Sequence, residues 1–432
     1  MVESPQIGEE NAKSAGVGSI MHSREADMKK SADVVIIGGG IIGCCCAYFL
    51  ARRIKDVVLV ERKGIAAESS GANYGMIWQQ TGRPGFDLAM RKRGIELYDE
   101  LTNKEVFDID IEYEKKGGMT IFFTEIQIEA AERFCRAKQS LGIPVRVLGA
   151  TEVRKLEPAL SEEVAGSTYC PEEAQLNPMY TTIAFARAAK KEGATIYTGT
   201  EVHSIKLHNG SVGNVVTNRG EIKTKFMINA AGSWASHIGE MVGLKIPVYP
   251  HRLQSVVTEQ VPRLVNRTLQ GARVTYSPEE AMKSFSYAYD ATGGKRPSIY
   301  EEPPLETLEE GFVLYIKPTI SGNIVLGAAC DFAGYDRNTS YEGLGLIAAS
   351  AKKAVPQLKN VQIIRSWANF DPWTADGIPI VGETEVKGFI IAAGHGTGMS
   401  HGPAAGEAVA ALIVDGKPIP YAEQASIARF TK

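Results

Sequence analysis

The sequence predicts an α/β fold in which a parallel-sheet domain is interrupted by an inserted α+β domain built on a mainly antiparallel sheet. Apolar segments at residues 33–37, 57–60 and 226–235 read as buried strands, and two of them end in a glycine turn that leads into a helix. Between residues 246 and 365 the pattern changes to long strands of antiparallel type. The change of pattern indicates two interleaved domains.

The first strand turns tightly into a helix around Gly38, Gly40 and Gly43, and the second apolar run ends in Glu61, 18 residues beyond Gly43. Gly38 permits the sharp turn, Gly40 lets backbone N–H groups approach a pyrophosphate, and Gly43 lets the helix pack closely on its strand. The helix N-terminus stabilises phosphate charge, and Glu61 is placed to accept hydrogen bonds from ribose hydroxyls. This Rossmann-like unit therefore predicts a dinucleotide site.

Two simpler interpretations of this stretch compete. Residues 34–51 are 18 consecutive uncharged residues, which is the length of a candidate membrane span. Four glycines within residues 38–43 and a following β-branched strand argue against a span. A chance glycine cluster is disfavoured because strand, glycines, helix, second strand and acidic terminus follow in the expected order.

Length and composition narrow the classes of protein. A chain of 432 residues has room for two domains, and its net charge of −3 is well mixed, so it carries no nucleic-acid or polybasic membrane signature. The six cysteines have no C-x-x-C pair and no zinc-like spacing, which favours reduced thiols in a cytoplasmic protein. Cysteines 44–46 are interpreted as small packing residues, with a redox role as the alternative. Residues 1–30 are polar, lack the apolar core of a signal peptide and are expected to form a disordered leader.

The other elements alternate between the two domains. The small-residue segment 62–75 is too polar for a core strand and too rich in glycine for a stable helix, which suits a loop around a ligand. A helix at 87–102 is followed by a strand at 117–124 and an amphipathic helix at 125–141, which do not continue a parallel series and so begin the insertion. Residues 262–310, rich in proline and glutamate, are interpreted as a loop or lid. The chain returns to the first domain with a helix at 181–191, a strand at 195–202, and a hairpin around residues 208–211 and 218–220.

Four segments, at residues 69–75, 229–234, 367–382 and 392–406, carry a resemblance to a known family. Together with the glycine fingerprint, and in this order, they resemble the FAD-dependent amino-acid oxidase (DAO) superfamily. That superfamily includes glycine oxidase, sarcosine oxidases, D-amino-acid dehydrogenases and the β subunits of proline and hydroxyproline dehydrogenases. The resemblance covers roughly residues 32–415.

The resemblance implies that the chain binds FAD. We expect an FAD-binding domain comprising residues 31–105, 150–242 and 366–420, a substrate-binding domain comprising 106–149 and 243–365, and a C-terminal tail at 421–432. The expected cofactor-binding residues are Gly38, Gly40, Ile41, Ile42, Gly43, Glu61, Arg62, Ser69, Ser70, Asn73, Gly75, Met76, Val202, Ala231, Gly232, Trp234, Gly394, His395, Gly396, Thr397, Gly398 and Met399. The positions that tether flavin covalently in sarcosine oxidases fall near Asn369 and Asn177, so the FAD is expected to be noncovalent.

A second glycine-rich turn, at residues 394–398, precedes a small-residue helix predicted at 403–414. The N-terminal N–H groups of that helix would face the ligand region. If the N1–C2=O edge of the flavin lies there, the positive helix end stabilises the anionic reduced flavin and raises its electron affinity. A plain loop between a strand and a terminal helix is the alternative interpretation.

By resemblance, the reaction is oxidation of a C–N bond, in which an amino or imino acid passes a hydride from its α-carbon to flavin N5. Substrates of this type are D-amino acids, sarcosine or glycine, proline or hydroxyproline, and opines. The family needs no strong protein base, because the neutral amine is oxidised directly and the protein supplies position and electrostatics.

The chain departs from the family pattern at the substrate site. Glycine oxidase has arginines that bind the substrate carboxylate where this chain has Asp371 and either Gly396 or Thr397. Either another cation substitutes, or the substrate is not a simple α-amino acid. The Asp371 carboxylate would favour a cationic substrate such as an opine or a polyamine-like compound. The preferred interpretation is that this carboxylate is solvated or paired within the protein. The candidate substrate-site residues are Lys317, Arg252, Arg365, Asp371 and Thr397, with Arg83 as a further cation.

A second departure from the family pattern, at Val325, concerns the electron acceptor. The lysine that activates oxygen in sarcosine oxidases would lie near Val325, and a valine cannot promote superoxide formation electrostatically. We therefore expect a dehydrogenase that passes electrons to a partner subunit or a quinone in preference to an oxidase, and oxidase activity is kept open. Two other functions stay open: an NAD-dependent dehydrogenase that uses the same fingerprint, and a non-catalytic FAD-holding subunit of a larger complex.

Overall fold

The structure, a computed structural model, describes residues 28–271 and 311–430. Its strands are β1 (Ser31–Ile37), β2 (Val57–Val60), β3 (Met76–Ile77), β4 (Gly118–Phe122), β5 (Arg146–Gly149), β6 (Gly166–Cys170), β7 (Ala174–Gln175), β8 (Thr195–Tyr197), β9 (Val202–His208), β10 (Ser211–Thr217), β11 (Gly220–Asn229), β12 (Val248–Thr258), β13 (Leu269–Gly271), β14 (Gly311–Pro318), β15 (Ile324–Asp331), β16 (Ile363–Thr374), β17 (Ile380–Glu383) and β18 (Phe389–Ala393). Its α-helices are α1 (Ile41–Ala51), α2 (Ser69–Ala72), α3 (Phe86–Asn103), α4 (Glu125–Gln139), α5 (Ala150–Leu156), α6 (Pro178–Lys191), α7 (Ala235–Glu240), α8 (Tyr341–Ala354), α9 (Gly398–Asp415) and α10 (Ala422–Ala425).

The first sheet has the order β17-β18-β11-β1-β2-β8, and the β9–β10 hairpin extends it from β11. The pairings from β18 to β8 are parallel, whereas β17 and the hairpin pair antiparallel. Strand β1 is buried on both faces, because Val34 and Ile36 pack beneath α1 while Val35 and Ile37 enter a second core on the opposite face. Burial on both faces is typical of parallel strands in α/β proteins.

Helix α1 packs closely against α9. A Cβ added at Gly406 would lie 2.6 Å from the backbone carbonyl carbon of Cys45. Cys44, Cys45 and Cys46 are all buried free thiols, and burial raises the pKa of Cys46 to about 12. The cysteine triplet is therefore packing material, and the uncharged stretch 34–51 divides into β1 and α1. Across the parts of the chain that the structure describes, no helix combines the length and apolar character needed to cross a bilayer.

Helix α9 begins at Gly398, five residues before the predicted start at residue 403, so that prediction was wrong. Proline is favoured in the first turn of helices, which made Pro403 look like a start. Here Pro403 lies inside the helix. Close packing holds the first turn in place, since a Cβ added at Gly94 of α3 would lie 1.9 Å from the carbonyl oxygen of Ser400.

The second sheet has the order β16-β12-β15-β14-β13-β4-β6-β5 and is mixed. Strands β13 and β4 pair in parallel, and the other neighbours pair antiparallel. Helix α8, in a region for which we predicted long strands and a loop but named no helix, covers one face, where Ile347 and Ala351 pack with Leu314 and Ile316. Strands β6 and β16 run into ranges that we assigned to the FAD-binding domain, because strand pairing between distant segments leaves no local signal in the sequence.

The chain ends differ from the sequence interpretation where they are described. Met28, expected in a disordered leader, is buried in the core of the first sheet. In the expected tail, Phe430 is buried in the same core, and the Arg429 guanidinium binds the Asp376 carboxylate at 2.7 Å. Residues 1–27 and most of the predicted loop or lid, residues 272–310, lie outside the described part of the chain.

Candidate functional site

A cavity of about 550 Å³ lies between the two sheets. The carboxyl ends of the parallel strands β1, β2, β11 and β18 meet at one edge of the first sheet, which is where α/β proteins bind ligands. Gly38, Glu61, Ala231 and Gly394 follow these strand ends and line the cavity. The second sheet forms the facing wall.

The predicted cofactor residues converge on this cavity. All of them except Gly43 line it. Gly43 lies behind the glycine turn, where an added Cβ would be 2.0 Å from the carbonyl oxygen of Gly38, so its role is close packing of α1. Among the candidate substrate residues, Asp371, Thr397 and Arg83 line the cavity, whereas Lys317, Arg252 and Arg365 do not.

At the dinucleotide end, backbone N–H groups hold Glu61, the acidic residue that follows β2. Glu61 accepts hydrogen bonds from the backbone N–H of Gly39 and of Lys63, each at 2.7 Å. Gly38 has a φ of +114°, and a Cβ there would lie 2.5 Å from the carbonyl oxygen of Ala230, so only glycine fits the turn. Nearby, the Arg62 guanidinium lies 4.1 Å from the ring centroid of Trp234, in a cation–π contact.

The small-residue segment 69–75 connects the two sheets. Its first residues form the short helix α2, and the Ser70 hydroxyl oxygen accepts the N–H of Ile41 at the start of α1, at 2.9 Å. The hydroxyls of Ser69 and Ser233 both donate to the carbonyl oxygen of Phe370 in β16. The loop beside the dinucleotide end is therefore attached to the strand that carries Asp371.

A buried polar network lies behind the start of α9. His401 Nε2 is 2.7 Å from Asp87 Oδ1, and His401 Nδ1 is 3.3 Å from His395 Nδ1. Asp87 also accepts from Arg91 Nε at 2.8 Å and from the backbone N–H of Arg83 at 2.6 Å. Burial alone would raise the pKa of Asp87, but Arg91 and His401 hold it well below its usual range. Neither Asp87 nor His401 was predicted as a site residue, although His401 lies only six positions after His395 in a segment that carried the resemblance.

The facing wall is built from alternate residues of neighbouring strands. Val313 and Tyr315 of β14 line the cavity, whereas Leu314 and Ile316 point to the core under α8. Tyr315 stacks on Tyr74 with ring centroids 4.7 Å apart. The other wall positions are His251 and Leu253 of β12, Ala328 and Cys330 of β15, and Asn369, Asp371 and Trp373 of β16.

Asp371 is the acidic group of this wall. Its strand partner is His251, whose ring lies 5.1 Å from that of Trp373. Among residues 28–271 and 311–430, no side chain or N–H group forms a hydrogen bond or ion pair with the Asp371 carboxylate. Burial raises the pKa of Asp371 to about 7. The described chain therefore provides no ion-pair partner for Asp371, whereas solvation of this half-buried carboxylate from the cavity stays a prediction.

The cationic side chains that were candidates for the substrate site lie elsewhere or bind other groups of the protein. Arg252 binds Asp331 and Asp336, with Nε–Oδ1 and Nη1–Oδ2 distances of 2.7 and 2.8 Å. Lys317 is buried and donates to the carbonyl oxygen of Leu176 at 3.1 Å, and burial lowers its pKa to about 8. Arg365 is exposed on β16, and Arg83 donates to the carbonyl oxygen of Asp376 from the cavity lining.

Residues 33–412 match the family described as FAD dependent oxidoreductase. The chain belongs to this family. Glycine oxidase of Geobacillus kaustophilus is 29% identical over 88% of this chain and 92% of its own length. Sarcosine oxidase subunit beta of Rhizobium meliloti is 26% identical over 95% of this chain and 91% of its own. The crystal structure of L-proline dehydrogenase from P. horikoshii superposes with a TM-score of 0.79 at 27% identity, over 94% of this chain and 99% of that one.

The described residues fit the FAD of this family, which also favours FAD over the NAD alternative. Helices α1 and α9 both begin at the cavity. Ser70 accepts the N–H of Ile41 in α1, whereas the start of α9 has no side-chain cap, so the backbone N–H groups of α9 are available to anionic or carbonyl oxygens. A Cβ added at Gly396 would meet no atom within 4 Å, so the turn before α9 leaves room for a ligand. His395 Nε2 is buried at the cavity lining without a hydrogen-bond partner among the described residues. A buried polar atom of this kind ordinarily has a partner.

Proposed function

We propose that this FAD-dependent oxidoreductase oxidises a C–N bond in an amine, an amino acid or an imino acid. The observation that carries the proposal is the Asp371 carboxylate on the cavity wall, opposite the dinucleotide edge and among the aromatic rings of Trp373, Tyr74 and Tyr315. The names of the relatives support the reaction type, since glycine, sarcosine and proline all carry an oxidisable C–N bond.

Bound FAD would take up a hydride equivalent from the carbon attached to nitrogen. The chain's own contribution is to hold the amine and manage its proton. An ionised Asp371 attracts an ammonium group, and a carboxylate with a pKa of about 7 is able to accept its proton, which leaves the neutral amine that is oxidised. We further propose that the substrate carries a cationic nitrogen next to Asp371 and does not depend on an arginine-bound carboxylate.

We propose that the second sheet is the core of an inserted substrate domain, with FAD held by the first sheet. Its wall residues alternate between the cavity and the core under α8, as expected for a sheet that presents one face to a ligand. Noncovalent FAD agrees with Asn369 on the cavity lining and with Asn177, whose side chain accepts the N–H of Tyr180 at the start of α6. Six free cysteines agree with a reducing compartment, and we place the protein in the cytoplasm.

We propose a dehydrogenase that passes electrons to a partner subunit or a quinone. Within the described ranges no lysine lines the cavity, and Val325 pairs in β15 with Lys317, whose ammonium group is bound to Leu176. A cation beside the flavin is what favours reaction with oxygen electrostatically. Comparing oxygen with a dye acceptor in one assay tests this point, and equal rates with both would contradict it.

The deciding experiment is anaerobic mixing of the FAD-loaded protein with single substrates, followed by flavin absorbance. The panel contains glycine, sarcosine, D-proline, hydroxyproline, an opine and a diamine. We expect bleaching by at least one of them, and faster bleaching by the opine or the diamine than by glycine. A flavin that stays oxidised with every compound would instead indicate a non-catalytic FAD-holding subunit, and acid treatment should release the flavin in either case.

A further inference from the structure

One buried nitrogen at the cavity has a defined chemical state but no partner. His395 is 4% exposed, it lines the cavity, and its Nε2 forms no hydrogen bond with any described residue. Its other ring nitrogen, Nδ1, faces His401 Nδ1 at 3.3 Å. What Nε2 offers to a ligand therefore depends on which nitrogen of each ring carries a proton.

Asp87 decides the state of His401. An ionised carboxylate only accepts hydrogen bonds, and Asp87 already accepts from Arg91 and from the N–H of Arg83. His401 Nε2, 2.7 Å from the same carboxylate, must therefore be the protonated nitrogen of its ring. Burial lowers the pKa of His401, which keeps the ring neutral and leaves Nδ1 as an acceptor.

His401 then decides the state of His395. Because His401 Nδ1 is an acceptor, the hydrogen bond between the two rings requires a proton on His395 Nδ1. Burial lowers the pKa of His395 well below its usual value, so this ring is neutral too. The Thr397 hydroxyl lies 3.4 Å from Nδ1 and 3.3 Å from Nε2 of His401, nearly equidistant, and so is not aligned with the lone pair of Nδ1. The chain of contacts leaves His395 Nε2 as an unprotonated acceptor.

We propose that His395 Nε2 accepts a hydrogen bond from the N3–H group of the FAD ring, and that Asp87, acting through His401, is the positioning residue that fixes this tautomer. The oxidised ring system has one N–H donor, N3–H, and its other polar atoms are acceptors, which suit the N–H groups at the start of α9. A histidine acceptor among these N–H donors therefore selects one atom and one orientation of the ring.

The first test compares FAD with N3-methyl-FAD, which lacks the donor, in reconstitution of FAD-free protein. We expect the wild type to bind FAD about tenfold more tightly than the methylated form, as for one hydrogen bond in a buried site. The His395→Leu variant should bind the two flavins equally. Equal binding of both flavins by the wild type would overturn the proposal and point instead to a ribityl hydroxyl or a substrate ammonium as the donor.

The second test uses the pH at which the bound flavin loses its N3 proton, followed by absorbance of the FAD-loaded protein. A hydrogen bond to Nε2 stabilises the protonated ring, so His401→Leu, which frees the tautomer of His395, should lower this pKa by about one unit. His401→Gln is the matched variant, because its amide can still donate to Asp87 and accept from His395, and it should retain the wild-type value. The same N3 pKa in the wild type and in His401→Leu would overturn the proposed relay.

The tautomers can also be read without flavin. Nitrogen-15 NMR of histidine-labelled, FAD-free protein distinguishes protonated from unprotonated ring nitrogens. We expect a proton on His401 Nε2 and none on His395 Nε2. A protonated His395 Nε2 would overturn the proposal whatever the protein oxidises, so this result is independent of the proposed substrate.

Discussion

The two ends of the cavity differ in how far the protein satisfies its own polar groups. At the dinucleotide end, both oxygens of Glu61 accept backbone N–H groups, and Ser70 accepts the first N–H of α1. At the opposite end, within the described chain, His395 Nε2 is buried without a hydrogen-bond partner, and burial is what raises the pKa of the Asp371 carboxyl on the cavity wall. The first end is preorganised by the fold, whereas the second is completed by what binds there, so differences in chemistry between relatives are expected at the second end.

The two ends also differ in the sequence separation of the residues that form them. The glycine turn and Glu61 lie within one βαβ unit, in which Gly38 has a positive φ and a Cβ at Gly43 would clash with the carbonyl oxygen of Gly38. The other end brings together Asp87 and His401, which are 314 positions apart, and β12 with β16. Substitutions at the two ends should therefore have different consequences, the first for folding and the second for binding and turnover.

The largest effect is expected from Gly43→Ala at the dinucleotide end. The added methyl group would lie 2.0 Å from the Gly38 carbonyl oxygen, so the turn and α1 must separate, and the free energy of unfolding should fall by about 4 kcal/mol or more. Gly64→Ala is the matched control, because a Cβ there meets no atom within 4 Å, and a change within about 0.5 kcal/mol is expected. Urea unfolding measures both variants. Equal midpoints would contradict the inference that the fold holds the dinucleotide end rigidly.

The next effect concerns Arg252, which the sequence offered as a substrate anchor. Arg252→Ala leaves the Asp331 carboxylate without its guanidinium partner, and the free energy of unfolding should fall by about 3 kcal/mol, with no change in KM. The exposed Arg365→Ala serves as the control and should change stability by less than about 0.5 kcal/mol. A raised KM at unchanged stability would return Arg252 to the substrate site.

The smallest effect in free energy, but the most specific, is expected from Asp371→Asn. In the wild type, kcat/KM for an amine substrate should rise with pH through about 7 as Asp371 ionises. The variant should lack this step and should be about tenfold slower above pH 7, from the loss of one charged hydrogen bond. A second rise at higher pH, from the substrate's own amine, should persist in both proteins. An unchanged pH profile in the variant would remove Asp371 from the reaction.

The raised pKa of Asp371 also predicts how the stability of the substrate-free protein changes with pH. Burial raises the pKa of Asp371 from 3.8 to about 7, so between these values the folded protein binds more protons at this site than the unfolded chain does. This group therefore contributes a loss of stability as pH rises from about 4 to about 7. Melting temperatures across this range should show a shallower decline in Asp371→Asn than in the wild type.

What the sequence could predict follows from the range of the interactions. The glycine fingerprint, Glu61 and the turn at 394–398 were predictable because each depends on neighbours within the same supersecondary unit. The start of α9 and the helix α8 were not, because packing against α3 and against the second sheet outweighs local preferences. Arg252 was misleading for a similar reason, since its acidic partners lie 79 and 84 positions away.

The alternation along the cavity wall has a consequence for how this architecture changes its chemistry. On β14, Val313 and Tyr315 face the cavity while Leu314 and Ile316 belong to a separate core under α8. Every second position can therefore be replaced without repacking the residues that keep the sheet folded. The core-facing residues keep the sheet folded, whereas the cavity-facing residues can be exchanged. Libraries restricted to the cavity-facing positions of β12, β14, β15 and β16 should yield folded proteins with new substrate preferences far more often than libraries of equal size spread over whole strands.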